Sequence, residues 1–216
     1  MLPLTAIAAI YALWVLFSVS WALAALWSSG AQGRPGLGAQ LGYILLNGTG
    51  AILLFLAGPL PVRHHLGRLR RLIAAIPGAT PLWTLPPWAG WALVGLAAAG
   101  FAFAWWARLH LGALWSSTIT RKADHRIVDT GPYGRVRHPI YTGLIAAAFA
   151  LAAIKASPAA ILGAALITAG WWLKARTEEA FLRQGLSPEA RGAYDAYRTR
   201  VPMLVPRLGL AAARRK

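Results

Sequence analysis

The sequence holds no cysteine, which removes disulfides, thiolate metal sites and cysteine nucleophiles from consideration. Acidic residues are scarce as well: 6 Asp plus Glu stand against 22 Lys plus Arg in 216 residues, a formal net charge of +16. Charged residues of both signs make up 13% of the chain and hydrophobic ones 57%, whereas a soluble domain carries roughly a quarter charged residues. An ordinary soluble enzyme is therefore excluded as the first reading. So basic a balance in a soluble protein would point to nucleic acid. In a chain this apolar the expected partners are anionic membrane lipids, and no nucleic acid is expected.

What the sequence does contain is apolar blocks about twenty residues long and free of charge, the length a helix needs to cross hydrocarbon. Five spans are drawn: Pro3 to Trp27, about Leu37 to Val62, about Trp88 to Ala107, Pro139 to Ile154 and Pro158 to Leu173. The first has no basic stretch before it, as a cleaved signal peptide would, and is read as a retained span. The fourth reaches only about 24 Å as a helix, short of a ~30 Å hydrocarbon core. Lys155, Ala156 and Ser157 alone separate it from the fifth, so these two should form an antiparallel hairpin. Arg63 to Pro87, with Arg68, Arg70 and Arg71 among Leu69, Leu72, Ile73 and Ile76, reads as a helix lying in the interface. The expected fold class is an all-α integral membrane protein.

Five spans put the two chain ends on opposite sides, and the basic residues then divide seventeen against five. The majority comprises Arg34, six residues from Arg108 to Arg137, and ten from Lys174 onward; the minority is Arg63, Arg68, Arg70, Arg71 and Lys155. An excess of Lys and Arg marks cytoplasmic loops, so the C-terminus is expected in the cytoplasm. All six acidic residues fall on that side, and the active site is expected there.

Polar chemistry concentrates in three places. The run from Asp124 to Gly143 is charged and then enters the fourth span. Pro139 suits the first helical turn, which sets Arg137 and His138 at the cap and lets His138 and Tyr141 share a face. The free N–H groups of that turn would welcome a carboxylate or phosphate. At the end of the fifth span, Lys174, Arg176, Glu178 and Glu179 follow Trp171 and Trp172 directly. Acids at a membrane edge are costly unless paired, and Arg135, Arg137 or Arg176 is available to pair them. Tyr194 and Tyr197 then lie three residues apart before Val201, Pro202 and Pro206. Each motif alone also reads blandly, as a charged loop, a stop-transfer flank and a surface helix.

Together they resemble the isoprenylcysteine carboxyl methyltransferase family and its phospholipid-methyltransferase relatives, over roughly Trp115 to Pro206. The segment GPYGRVRHPIYTG (Gly131 to Gly143), a helical hairpin, RTEEAFL (Arg176 to Leu182) and YDAYRTRVPMLVP (Tyr194 to Pro206) carry the resemblance. It implies a small helical membrane bundle whose last two spans and cytoplasmic tail enclose S-adenosylmethionine. By the same resemblance Arg137, His138 and Tyr141 help hold the cofactor, and Gly143 permits its close approach. Arg176, Glu178 and Glu179 sit as catalytic residues where cofactor and substrate meet, while Tyr194, Tyr197 and Pro202 cover the cofactor. Residues 1–110 become N-terminal membrane helices with the interfacial segment, and 111–216 the catalytic region. The acceptor is lipophilic or prenylated, most simply an isoprenylcysteine-type carboxylate. A phospholipid amine is the alternative, and a nicotinamide-dependent membrane reductase is a rival from another class.

The sequence departs from the family pattern in two places. The Phe-Gly pair expected after the glutamates is missing, with an inserted stretch from Arg183 to Arg191 in its place. Lys174 stands near where some relatives carry arginine, so the substrate-side cation is Lys174 or Arg176. His64 and His65 are adjacent, and His110 and His125 lack a carboxylate at ligand spacing, so no metal site is expected. Asn47 and Thr49 form a sequon inside the second span and are expected to bond neighbouring helices. Trp105, Trp106, Trp171 and Trp172 lie at span ends, where an interface belt is the default; a pocket role is left open only for Trp115.

Overall fold

The computed structural model describes residues 5–26, 35–57, 77–112 and 128–207. Arg34, the cluster from Arg63 to Arg71 with His64 and His65, Trp115, Asp124, His125 and Arg126 lie outside the described residues. Among the described residues the protein is all helix, with no strand: α1 (Ala6–Ala25), α2 (Leu37–Leu56), α3 (Pro87–Leu111), a 3₁₀ turn (Gly131–Gly134), α4 (Pro139–Lys155), α5 (Pro158–Gln184) and α6 (Pro188–Arg200).

Helix starts follow local chemistry. Proline occupies the first turn of α3, α4, α5 and α6, where its missing N–H leaves no hydrogen bond broken. The Ser157 and Ser187 hydroxyls accept from the backbone N–H of Ala160 and Ala190, satisfying one orphan donor at each start. Four helices, α1, α2, α3 and α5, are long and apolar enough to cross a membrane, and α4 is a shorter apolar helix. At 17 residues α4 reaches about 26 Å. The protein is thus a multi-pass membrane protein. Val15, Leu16 and Val19 on α1 and Leu41, Ile44 and Leu45 on α2 stand exposed, as lipid-facing residues do.

Two of the expected boundaries change. The fifth span was expected to end at Leu173, but α5 runs unbroken through the glutamates to Gln184, because Lys174 to Gln184 contains no Gly or Pro to stop it. The interfacial helix expected over Arg63 to Pro87 is absent from its last part: residues 77–86 are non-helical. They are pinned across the α4–α5 turn instead, by Leu82 N–H to the Ala156 carbonyl (2.8 Å), Ala159 N–H to the Gly78 carbonyl (3.0 Å) and the Trp83 indole to Ala153 (3.2 Å).

The hairpin of α4 and α5 forms as expected, turned by Ala156 in the left-handed region (φ 55°) and Ser157. Its two arms pack most extensively outward, α5 along α2 and α4 along α3. Bare glycines set both crossings. A Cβ on Gly50 would meet the Gly163 carbonyl at 2.7 Å, and one on Gly143 would meet the Gly100 carbonyl closer still. Small residues let backbones approach in this way where lipid offers no hydrophobic drive between helices. The core between the helices is filled by Ile10, Phe17, Leu54, Phe101, Leu151 and several alanines.

The bundle has two chemically distinct ends. At one, buried Lys155 (0% exposed) donates to the Tyr11 hydroxyl (3.0 Å) and to the carbonyls of Leu54 (2.9 Å) and Phe55 (3.0 Å) in the last turn of α2. A cation there meets the negative end of the helix dipole. Lys155, read from sequence as a loop charge, is therefore an internal staple. At the other end, Arg108 donates to the Ala24 carbonyl and lies 5.5 Å over the Trp21 ring. That end carries Tyr43, the start of α4, the end of α5 and all of α6. Asn47 differs from expectation: its amide donates to the Tyr43 carbonyl in its own helix (2.8 Å), not to a neighbouring one.

Candidate active site

The start of α4 is closed by the C-terminal strap. Arg137 N–H donates to the Pro202 carbonyl (2.9 Å), His138 N–H to the Met203 carbonyl (3.0 Å), and the Thr142 hydroxyl to the Leu204 carbonyl (2.6 Å). The N–H groups of Arg137 and His138, expected to be open to an anion, are thus already bonded. The strap is held in turn by α6, where Tyr194, Tyr197 and Val201 form one buried face against Leu182 and Leu186. The Tyr197 hydroxyl donates to the Tyr133 carbonyl in the 3₁₀ turn (2.8 Å). Burial pushes both phenols of α6 above their ordinary range, which keeps Tyr197 a neutral donor. An exposed pair of Arg200 and Asp129 (3.3 Å) links α6 to the segment before that turn.

The two adjacent glutamates of α5 have different surroundings. Glu179 is only 3% exposed and sits among cations: Arg137 Nε donates to Oε1 at 2.8 Å, Arg137 Nη2 to Oε2 at 3.3 Å, Arg198 Nε to Oε2 at 2.9 Å, and His138 Nε2 lies 3.0 Å from Oε1. Two guanidinium groups give the geometry that offsets the desolvation of a buried carboxylate. Arg137 also donates to the carbonyls of Arg198 and Val201, so this one side chain joins α5, α6 and the strap.

Glu178 is 24% exposed. It accepts from the Tyr141 hydroxyl at 2.5 Å, and Lys174 Nζ stands 3.9 Å from the same oxygen, while His138 Nδ1 is 3.5 Å from the other. His138, Tyr141 and Trp171 stack in series, with centroids 5.4 and 4.4 Å apart. His138 therefore touches both glutamates, and Tyr141 touches only Glu178.

The structure thus brings together Arg137, His138, Tyr141, Glu178 and Glu179, with Tyr194, Tyr197 and Pro202 in the covering layer. Arg176 and Gly143 lie elsewhere. Arg176 is exposed and packs 4.8 Å over the Trp172 ring, because residues 172 and 176 share the opposite side of α5. Of the two candidate cations, Lys174 is the one that stands beside Glu178. Gly143 faces Gly100 on α3, where it serves helix packing. Trp171 leaves the expected interface belt for the site, whereas Trp106 and Trp172 remain exposed, each under an arginine.

Tyr43 and Arg198 were not singled out from the sequence. Arg198 is four residues beyond Tyr194, on the same helical face, and that spacing was the available signal. Tyr43 reaches the site from α2, 131 positions before Lys174 in the chain, and no local pattern marks it. His110 lies 3.0 Å from the Thr130 hydroxyl and stacks on Tyr133.

No curated protein matches the sequence significantly. The sequence model of the Isoprenylcysteine carboxyl methyltransferase (ICMT) family matches residues 93–184, which span α3 from Leu93 on, the 3₁₀ turn, α4 and α5 with both glutamates. Over that stretch, with its hairpin and glutamate pair, the chain is similar to the isoprenylcysteine carboxyl methyltransferase family of membrane methyltransferases.

Proposed function

We propose that the protein is an S-adenosylmethionine-dependent methyltransferase that O-methylates a carboxylate on a lipophilic, membrane-embedded acceptor of the isoprenylcysteine type. The observation that carries this reading is the division of labour between the glutamates. Glu179 is held by Arg137, Arg198 and His138 and has no capacity to take a proton from an incoming group. Glu178 already accepts a 2.5 Å hydrogen bond from Tyr141. A carboxylate acceptor is ionised at neutral pH and needs no base, whereas an amine acceptor must lose a proton. The site suits the first.

The residues present fit the proposed cofactor. A partly exposed carboxylate beside a stack of three rings is a donor set for a cationic, ring-bearing molecule. The cofactor supplies an activated methyl group. Glu178 and Tyr141 provide charge and a hydrogen-bonding edge for it, His138 orients both glutamates, and Arg137 keeps the strap closed so that water is excluded from the reacting centre. In this reading residues 111–216 are the catalytic region. Helices of residues 1–110 form the acceptor's lateral path, with Tyr43 as their contribution to the site. The excess of basic residues at this end supports a cytoplasmic position for it.

Calorimetry of the purified protein tests the cofactor. S-adenosylmethionine or S-adenosylhomocysteine should bind and NADPH should not; binding of NADPH alone would transfer the protein to the reductase class.

A further inference from the structure

Lys174 occupies an unusual position. Its ammonium, on a side chain 12% exposed, lies 5.8 Å from the Tyr43 ring centroid, 5.5 Å from Tyr141 and 5.2 Å from Trp171, with the Glu178 carboxylate 3.9 Å away. Three rings within ~6 Å of one cation, closed by a carboxylate, make an aromatic cage of the kind that recognises methylated onium ions. The rings come from α2, α4 and α5, so the cage exists only in the assembled bundle. A lysine is a poor permanent tenant for it. An ammonium is compact and strongly hydrated, and the four-carbon stem lets it swing out to the membrane edge.

We infer that the cage of Tyr43, Tyr141, Trp171 and Glu178 is the seat of a methyl-bearing organic cation, and that the Lys174 ammonium is its internal placeholder, expelled when that cation arrives. The inference rests on the proposed function in identifying the cation as the sulfonium of S-adenosylmethionine. Charge then balances at each stage, one cation beside Glu178 before binding and one after. When the carbon–sulfur bond breaks, its electron pair stays on sulfur and the methyl carbon bonds to the acceptor oxygen, so the onium charge is lost. Lys174 returns to the vacated rings, which favours release of the neutral product over release of the charged substrate.

The experiment has two arms on the intact, detergent-purified protein. In the first, acetylation of lysines is read by mass spectrometry with trimethylsulfonium chloride, S-adenosylmethionine, S-adenosylhomocysteine, or sodium chloride at equal ionic strength. Lys174 should acetylate at least threefold faster with either onium ion and not with the neutral thioether or the salt, while Lys155 at the far end stays unreactive. Equal reactivity in all four conditions would overturn the proposal. In the second, Lys174→Met should raise the affinity for S-adenosylmethionine relative to S-adenosylhomocysteine at least tenfold by calorimetry. A change by the same factor for both ligands means that Lys174 has only a packing role and overturns the proposal. If neither nucleoside binds but trimethylsulfonium still unmasks Lys174, the cage stands and the cofactor reading falls.

Discussion

Arg137 and Glu179, 42 residues apart in sequence, form a two-point ion pair at 2.8 and 3.3 Å, and the same guanidinium holds the carbonyls of Arg198 and Val201. Removing the carboxylate would leave the buried Arg137 guanidinium, and the half-buried one of Arg198, without their counter-charge; breaking a buried pair costs about 3–5 kcal/mol. Glu179→Gln is therefore expected to loosen the strap and α6. Limited trypsin digestion should cut at Arg198 or Arg200 at least tenfold faster than in the parent. Unchanged cleavage would show that the pair does not hold the strap.

Tyr141→Phe deletes one hydroxyl and keeps the ring stacked between His138 and Trp171. The hydroxyl's bond to Glu178 contributes about 1.5–3 kcal/mol, so the melting temperature should fall, and cofactor affinity of the folded protein should fall about tenfold or more. Calorimetry and thermal unfolding separate the two effects. Equal affinity would remove Tyr141 from the binding residues.

Gly143→Ala separates packing from ligand binding. A methyl group there meets the Gly100 carbonyl and the Ala104 Cβ at 3.3 Å, and overpacking costs about 1–3 kcal/mol. The variant should unfold at lower temperature while the folded fraction binds cofactor as the parent does. Lost affinity at unchanged stability would return Gly143 to the cofactor.

The contrast between Gly143 and its neighbours shows what the sequence could and could not disclose. Proline at the helix starts acts locally, so the starts of α4 and α5 are legible, as is the short hairpin turn. Which face of α5 meets the site was hidden because the fifth span was ended at Leu173. Carried on to Gln184, the helix puts Trp171, Lys174 and Glu178 on one stripe and Trp172 and Arg176 on the opposite one. That phase would have selected Lys174 over Arg176. Glycine at position 143 is equally suited to a ligand and to a neighbouring helix, and only the crossing with α3 decides between them. Tyr43 and the strap's claim on the Arg137 and His138 amides are tertiary facts with no local signature.

Orientation is open to a clean test because the chain has no cysteine. Ala190→Cys, partly exposed on α6 beyond the last span, should resist membrane-impermeant maleimide in intact cells and react after permeabilisation. Labelling in intact cells would invert the topology and put the site outside.

The most direct measurement supplies membranes containing the protein with S-adenosylmethionine labelled in its methyl group and two acceptors in parallel, a prenylated cysteine with a free carboxylate and phosphatidylethanolamine. Label is expected in the prenylated cysteine alone, as a base-labile ester. Glu178→Gln should lower the rate at least tenfold, about 1.4 kcal/mol of transition-state stabilisation, with cofactor binding still measurable. Label in phosphatidylethanolamine alone, label in neither acceptor, or a Glu178→Gln variant as fast as the parent would contradict the account.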